Sequence, residues 1–318
     1  MAAGQPRTWT APRAEAGADT TVAQLLHAFL RWADGYYLKA GRRTSEVAVL
    51  ESAFKVLFEM HASSRIAEFG PVELRAVRDE MVRQGLSRTT VNAYVNRIKR
   101  AWRWGASRDM VPGSVLAAIT ALTGLGKMRS EAREPEPVAA VDEAAVEAVL
   151  ERVRPSVRVM VRLQLLTGMR PGEVVSMRAA DVDRSASPWR YTPRDHKTSH
   201  LGHSREVFLG PKAQEVLAPL LEVSPSPESP LFGYTTASYR RAISRACGEL
   251  ADEAKEKGED PPPAWTPNQL RHTAATAIRR RYGIEAARVL LGHATLSTSE
   301  IYAEVDETAA KRIMDEMG

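Results

Sequence analysis

Between Gly124 and Pro137 the chain reads Gly-Leu-Gly-Lys-Met-Arg-Ser-Glu-Ala-Arg-Glu-Pro-Glu-Pro. Glycine and proline punctuate the stretch, and no apolar residue recurs there at helical or strand spacing, so it reads as a linker. This break constrains the fold more than any other feature, because it divides 318 residues into two domains of ordinary size. The expected layout is a loose arm over 1–20, a helical domain over 21–123, a linker over 124–139 and a second domain over 140–318. Charge follows the same division. Residues 1–130 hold 19 Lys+Arg against 11 Asp+Glu, and residues 131–318 hold 25 against 28. A basic first half is expected to meet a polyanion. Apolar residues at 44% and charged residues at 26% exclude a disordered chain. The single cysteine, Cys247, excludes an internal disulfide framework, fits a reducing compartment and reads as a small buried residue. No run approaches 18 uninterrupted apolar residues, so no membrane span is expected, nor is a secretory signal.

The first domain reads as four helices. Thr21-x-x-Gln24 has the form of a capping box, followed by Val22, Leu25, Leu26, Phe29 and Leu30 at helical spacing. A second helix is expected from Ser45 to Met60, with Val47, Leu50, Phe54, Leu57 and Phe58 on one side. Gly70-Pro71 opens a third, proline being suited to the first helical position. Ser87 caps a fourth, reaching Trp104. Its apolar face is Val91, Tyr94, Val95, Ile98 and Trp102. Arg88, Asn92, Asn96, Lys99, Arg100 and Arg103 fall largely opposite, a set suited to phosphates and base edges, although an ordinary solvated face accounts for it equally well.

Beyond the linker, helices are expected over Asp142–Val153 and Val157–Leu166. Short β-like runs follow at Trp189–Tyr191 and Glu206–Leu209, joined through Gly202 as a small hairpin or sheet. Ser224–Pro230 and the charged, proline-rich Asp252–Pro263 read as loops. Thr266-Pro267-x-Gln269 opens another helix, which Gly283 is expected to end.

Four motifs in this second half carry chemistry. They are Thr167-Gly168-Met169-Arg170-Pro171-Gly172-Glu173, His196-Lys197-Thr198, Leu270-Arg271-His272-Thr273, and the run from Leu290 through Gly292-His293 to Tyr302. Two arginines, a lysine, a histidine and a late tyrosine are the groups needed to attack a phosphodiester with a tyrosine. A guanidinium grips two phosphate oxygens and stays charged. Glu173 is placed to orient Arg170, although each residue taken alone reads more plainly as a structural helix pair. Arg271, in the first turns of its helix, can neutralise charge developing in a pentacovalent transition state. A phenol with a pKa near 10 is a weak nucleophile until such a site activates it. His196, His200 and His203 fit no helical or zinc-finger ligand spacing, and Asp181-Val182-Asp183 lacks a further carboxylate cluster, so no metal site is expected.

These residues, in this order, resemble the tyrosine recombinase and phage-type integrase family of DNA-breaking and DNA-rejoining enzymes. The resemblance implies a mainly α fold with a small β-sheet: an N-terminal four-helix core-binding domain and an α+β catalytic domain. It implies Arg170, Lys197, Asn268, Arg271, His293 and Tyr302 as catalytic residues, with Glu173 supporting. Tyr302 would form a 3′-phosphotyrosyl link, Lys197 would protonate the leaving 5′ oxygen, and His293 would hold the phosphate or help move a proton. The link stores the bond energy, so no cofactor is implied. The implied partners are double-stranded DNA, a homotetramer assembled on it from a monomer or weak oligomer, and an accessory DNA-bending protein. The implied place is the cytoplasm, at the nucleoid. The chain departs from the family pattern at Asn268, where the family usually has histidine; asparagine can hydrogen-bond a phosphate but cannot transfer a proton near neutral pH. Two alternatives stay open: a type IB-like topoisomerase, and a DNA-binding protein of the same fold with impaired catalysis.

Overall fold

The computed structural model describes residues 19–39, 41–194, 205–224 and 226–291. The chain divides into two compact units, Met1–Glu136 and Pro137–Gly318.

In the first unit, α1 (Val22–Tyr36) starts at the capping box: the Thr21 N–H donates to Gln24 Oε1 at 2.9 Å and the Gln24 N–H donates to Thr21 Oγ1 at 3.3 Å. A short antiparallel hairpin of β1 (Leu38–Lys39) and β2 (Arg42–Arg43) leads to α2 (Glu46–His61). Next come α3 (Pro71–Arg83), with proline at its start, and α4 (Arg88–Ala106), where Ser87 Oγ accepts from the Thr90 N–H. The helices bury Phe29, Leu50, Leu57, Leu74, Ile98 and Trp102 in one core. On α2 the buried stripe runs through Val47, Leu50, Ala53, Phe54, Val56 and Leu57. Phe58 falls at its edge and is exposed.

The unit has a fifth helix that the sequence reading missed, α5 (Gly113–Thr120), which buries Ile119. The segment after it folds back along the polar face of α4. The Lys99 ammonium donates to the carbonyls of Thr120 and Leu122 at the end of α5. Asn92 holds Leu125 from both sides, its amide donating to the Leu125 carbonyl at 3.0 Å and its carbonyl accepting from the Leu125 N–H at 2.7 Å. The Arg88 N–H donates to the Arg133 carbonyl at 2.9 Å, and its guanidinium reaches both oxygens of Glu134. Residues 122–134 therefore pack on the helix, although part of that stretch reads in sequence as a free linker.

The second unit runs through α6 (Glu143–Arg152), α7 (Pro155–Thr167) and α8 (Pro171–Val175) into a three-stranded antiparallel sheet. Its strands are β3 (Val182–Asp183), β4 (Trp189–Tyr191) and β5 (Val207–Leu209), in that order. Trp189 pairs with Leu209 and Tyr191 with Val207, so Tyr191, Val207 and Leu209 face the core. Then follow α9 (Pro211–Glu222), α10 (Thr236–Lys257) and α11 (Pro267–Leu291). Neither α9 nor α10 was read from the sequence. Asp252–Lys257, which reads there as part of a loop, is the last turn and a half of α10. Gly258 ends α10 in the left-handed region at φ 70°, and Lys255 and Lys257 suit the negative end of the helix dipole. Gly283, at φ 86° and ψ 172°, breaks α11 into two pieces. Among the described residues no helix is long and apolar enough to cross a membrane.

Replacing Asn92 with alanine removes both bonds to Leu125 and is expected to destabilise the first unit by about 1–3 kcal/mol. The checks are a urea melt and faster tryptic cleavage after Lys127 or Arg129; an unchanged midpoint and cleavage rate would show that the segment is held by other contacts.

Candidate active site

The site is built on the turn that follows α7. Gly168 closes the helix in the left-handed region at φ 66°, its N–H donating to the Gln164 carbonyl at 2.8 Å. A side chain on Gly168 would meet the Leu291 Cδ2 at 2.4 Å and force it to shift, and the left-handed backbone already favours glycine there. Thr167 braces the turn: Oγ1 donates to the Leu163 carbonyl at 2.6 Å and accepts from the Met169 N–H at 3.3 Å. Arg170 then stands at the cap of α8, half-in and half-out of the helix.

Glu173 fixes Arg170 twice. Its Oε2 accepts from the Arg170 N–H at 2.8 Å, which caps α8, and its Oε1 accepts from Arg170 Nη1 at 2.8 Å. The carboxylate is 2% exposed, whereas the Arg170 side chain is partly open to solvent. Tyr191 on β4 donates to the Glu173 carbonyl at 2.7 Å and ties the sheet to the same turn.

Arg271, on the second turn of α11 and 5% exposed, reaches the turn from the other side. Its Nη1 donates to the Gly168 carbonyl at 2.6 Å and its Nη2 to the Leu291 carbonyl at 2.8 Å. One guanidinium therefore joins the residue two before Arg170 to the last residue of α11.

A buried glutamine supports this frame. Gln164 Nε2 donates to the carbonyls of Met169 (3.0 Å) and Pro267 (3.3 Å), and its Oε1 accepts from Tyr239 Oη at 2.9 Å. All three contacts link different elements: the Arg170 turn, the start of α11 and α10.

Of the residues singled out in sequence, the structure gathers Arg170, Glu173 and Arg271 around one turn. Asn268 is exposed in the first turn of α11. Lys197, His293 and Tyr302 lie outside the described residues, as do His196, His200 and His203. On α4, Arg88, Asn92 and Lys99 are engaged by residues 120–134, and Arg100 binds Glu46 on α2, while Asn96 and Arg103 are exposed. Asp181 pairs with Arg194 at 2.6 Å and Asp183 with Arg190 at 3.0 Å, so each carboxylate has its own cation.

Arg205, just ahead of β5, escaped the sequence reading. It is 6% exposed and sits between the Glu173 carboxylate and the end of α11. Its Nη1 donates to the Leu290 carbonyl at 3.0 Å and its Nε stands 3.8 Å from Glu173 Oε1. Burial pushes its pKa below the usual arginine value; Glu173 pulls it back up and Arg170 pushes it down again. An arginine still remains charged at any useful pH. No signal in its neighbourhood, Ser204-Arg205-Glu206, marks it as buried.

A family model, the phage integrase family, matches residues 140–309. The chain belongs to that family. It is a site-specific tyrosine recombinase, an enzyme that cleaves and rejoins DNA. Among similar proteins, tyrosine recombinase XerC of Corynebacterium efficiens is 25% identical, with 91% of this chain and 90% of that protein covered. XerC of Proteus mirabilis is 24% identical over 88% of this chain and 90% of its own length. The fold is shared with the Tn1549 transposon integrase solved in complex with transposon right end DNA, at a TM-score of 0.70 and 16% identity, covering 93% of this chain and 99% of that one. It is shared also with the XerH recombinase bound to palindromic difH substrate, at a TM-score of 0.68 and 15% identity over 95% and 97% of the two chains.

Two outcomes follow for the recombinase's second unit. Gln164→Leu strands Tyr239 Oη and the Met169 and Pro267 carbonyls, and is expected to cost about 2–4 kcal/mol in a chemical melt; a neutral effect would show that water replaces the amide. The second concerns pH. Burial, then the neighbouring Arg271, hold the half-buried His272 below its ordinary value of 6.5. The folded state then disfavours the protonated form, so the unfolded chain takes up the proton first. The stability tied to His272 is present above pH 6.5 and is lost as pH falls below it. His272→Gln is expected to show a smaller fall in Tm between pH 8 and pH 5.5 than the parent; parallel falls would contradict this.

Proposed function

We propose that Tyr302 is the nucleophile and that Arg170 and Arg271 hold the scissile phosphate. The phenol oxygen bonds to phosphorus as the bond to the 5′ oxygen breaks, leaving a 3′-phosphotyrosyl link. Lys197 gives its proton to the departing 5′ oxygen, and the phenol proton leaves toward His293 or water. A 5′ hydroxyl from a partner strand reverses the step. What carries this reading is the bond from Arg271 to the Gly168 carbonyl, two residues ahead of Arg170. It brings two guanidinium-bearing turns to one place, and paired guanidiniums suit the charge that develops on a pentacovalent phosphorus.

Glu173 supports the reaction by fixing the direction of Arg170. Asn268, exposed at the start of α11, hydrogen-bonds a phosphate oxygen and does not serve as a base. On the helical unit, first contacts with the DNA backbone fall to Asn96 and Arg103, since Arg88, Asn92, Lys99 and Arg100 already hold partners within the chain. The working assembly is a homotetramer on double-stranded DNA, formed from a monomer or weak oligomer, with a DNA-bending protein as a further partner. A λ integrase tetramer bound to a Holliday junction, of the same fold at a TM-score of 0.63, supports that arrangement.

The test is covalent capture. Wild type and Tyr302→Phe are mixed with fragmented genomic DNA of the source organism and denatured with detergent, and the DNA still attached to protein is sequenced. Attachment at a discrete sequence by wild type alone is expected. Scattered attachment would favour a topoisomerase; no attachment despite native binding would mark a catalytically silent binder. On the captured site, Asn268→Ala is expected to slow single-turnover cleavage about ten- to hundredfold, while Asn268→His stays active; full activity in Asn268→Ala would remove that residue from the site.

A further inference from the structure

Arg205 is buried beside a carboxylate that already has a cation. Glu173 is a buried carboxylate whose Oε1 already bonds Arg170 at 2.8 Å. An ion pair that tight offsets much of the positive charge Arg170 brings to a phosphate. A second buried guanidinium, Arg205, stands 3.8 Å from the same oxygen. Its Nε and Nη2 have no hydrogen-bond partner among the described residues. A buried cation that makes one hydrogen bond among the described residues is costly to retain for stability alone, since apolar packing of the same volume would serve as well or better. The arrangement makes sense if the charge itself is needed.

Among the described site residues Arg170 and Glu173 cancel, leaving Arg271 as the remaining guanidinium beside a phosphodiester that becomes dianionic in its pentacovalent state, with Lys197 committed to the leaving oxygen. With Arg205 included, three guanidiniums face one carboxylate, so these four groups bring +2 toward the −2 that develops. Arg205 also grips the Leu290 carbonyl while Arg271 grips that of Leu291. The two cations hold consecutive carbonyls at the negative end of α11, directly before the segment that contains His293 and Tyr302.

We propose that Arg205 is a positioning residue of the strand-cleavage reaction: it serves as counter-cation to Glu173, leaving Arg170 free to act on the phosphate, and it anchors the end of α11. The inference rests on the phosphoryl-transfer reading above. Arg205 differs from a group that only fills space in that its effect runs through the charge on Glu173.

That coupling supplies the test. Full-length Arg205→Met, Glu173→Gln and the double variant are compared with wild type on the DNA site that wild type captures covalently, by single-turnover cleavage. Glutamine keeps an oxygen to accept from the Arg170 N–H but carries no charge to offset. Arg205→Met is expected to lower cleavage about a hundredfold or more, with native DNA binding changed far less. In the Glu173→Gln background the same change is expected to cost about tenfold or less, because no carboxylate remains to be neutralised. Losses that multiply in the double variant, or wild-type cleavage by Arg205→Met, would overturn the proposal. If Arg205→Met fails to fold by circular dichroism, Arg205→Lys takes its place. Lysine keeps the charge but not the fork, so it should restore at least a tenth of wild-type cleavage, and a loss as deep as in Arg170→Lys would count against the proposal. Failure of wild type itself to capture DNA would sink the reaction assignment instead, which keeps the two failures apart.

Discussion

A buried guanidinium needs acceptors, and Arg271 finds them in the carbonyls of Gly168 and Leu291. The geometry of the site depends on that bridge. It binds the exit of α7, which sets the place of Arg170, to the last turn of α11, from which the chain continues to His293 and Tyr302. Beside the bridge Leu291 packs against Gly168, where an added Cβ would come within 2.4 Å of its Cδ2 and force the leucine to shift. The Thr-Gly-x-Arg sequence is therefore a structural device as well as a chemical one. Threonine braces the turn, glycine admits both the left-handed backbone and the leucine, and arginine emerges at a helix cap where Glu173 fixes it.

Around this bridge the second unit has its polar groups well satisfied. Gln164 uses its two amide hydrogens and its oxygen on three elements, and Tyr191 joins the sheet to the Arg170 turn. Such networks hold side chains to one geometry because the alternative is a stranded polar atom in a low-dielectric interior. Arg205 stands out against that background, with two nitrogens unmatched among the described residues, beside a carboxylate already in use. A centre that must accept a doubly charged transition state is a place where excess positive charge serves the chemistry at some expense to stability.

Much of this was legible in the residues. The Thr21–Gln24 box, the proline starts at Pro71 and Pro267 and the apolar stripe of α4 rest on local rules, and the structure follows them. The family and its mainly helical fold were legible because the motifs carry chemistry in a fixed order. Three helices were not. α5 is only eight residues long, α9 carries an internal proline, and the charged end of α10 resembles a loop until Gly258 is seen to cap it. The polar face of α4 shows a deeper limit. Periodicity tells that Arg88, Asn92 and Lys99 point away from the core, but not that residues 120–134 return to satisfy them. Arg205 was hidden for the related reason that an arginine beside a strand reads as solvated, and its burial arises only when α11 and the Glu173 turn pack over it.

The most direct test of the central claim is to identify the amino acid that carries the DNA. The trapped complex would be digested with nuclease and protease and the modified peptide sequenced by mass spectrometry. The account predicts a nucleotide joined through its 3′ phosphate to the phenol oxygen of Tyr302. A link to any other side chain, or a 5′ linkage at Tyr302, would contradict it.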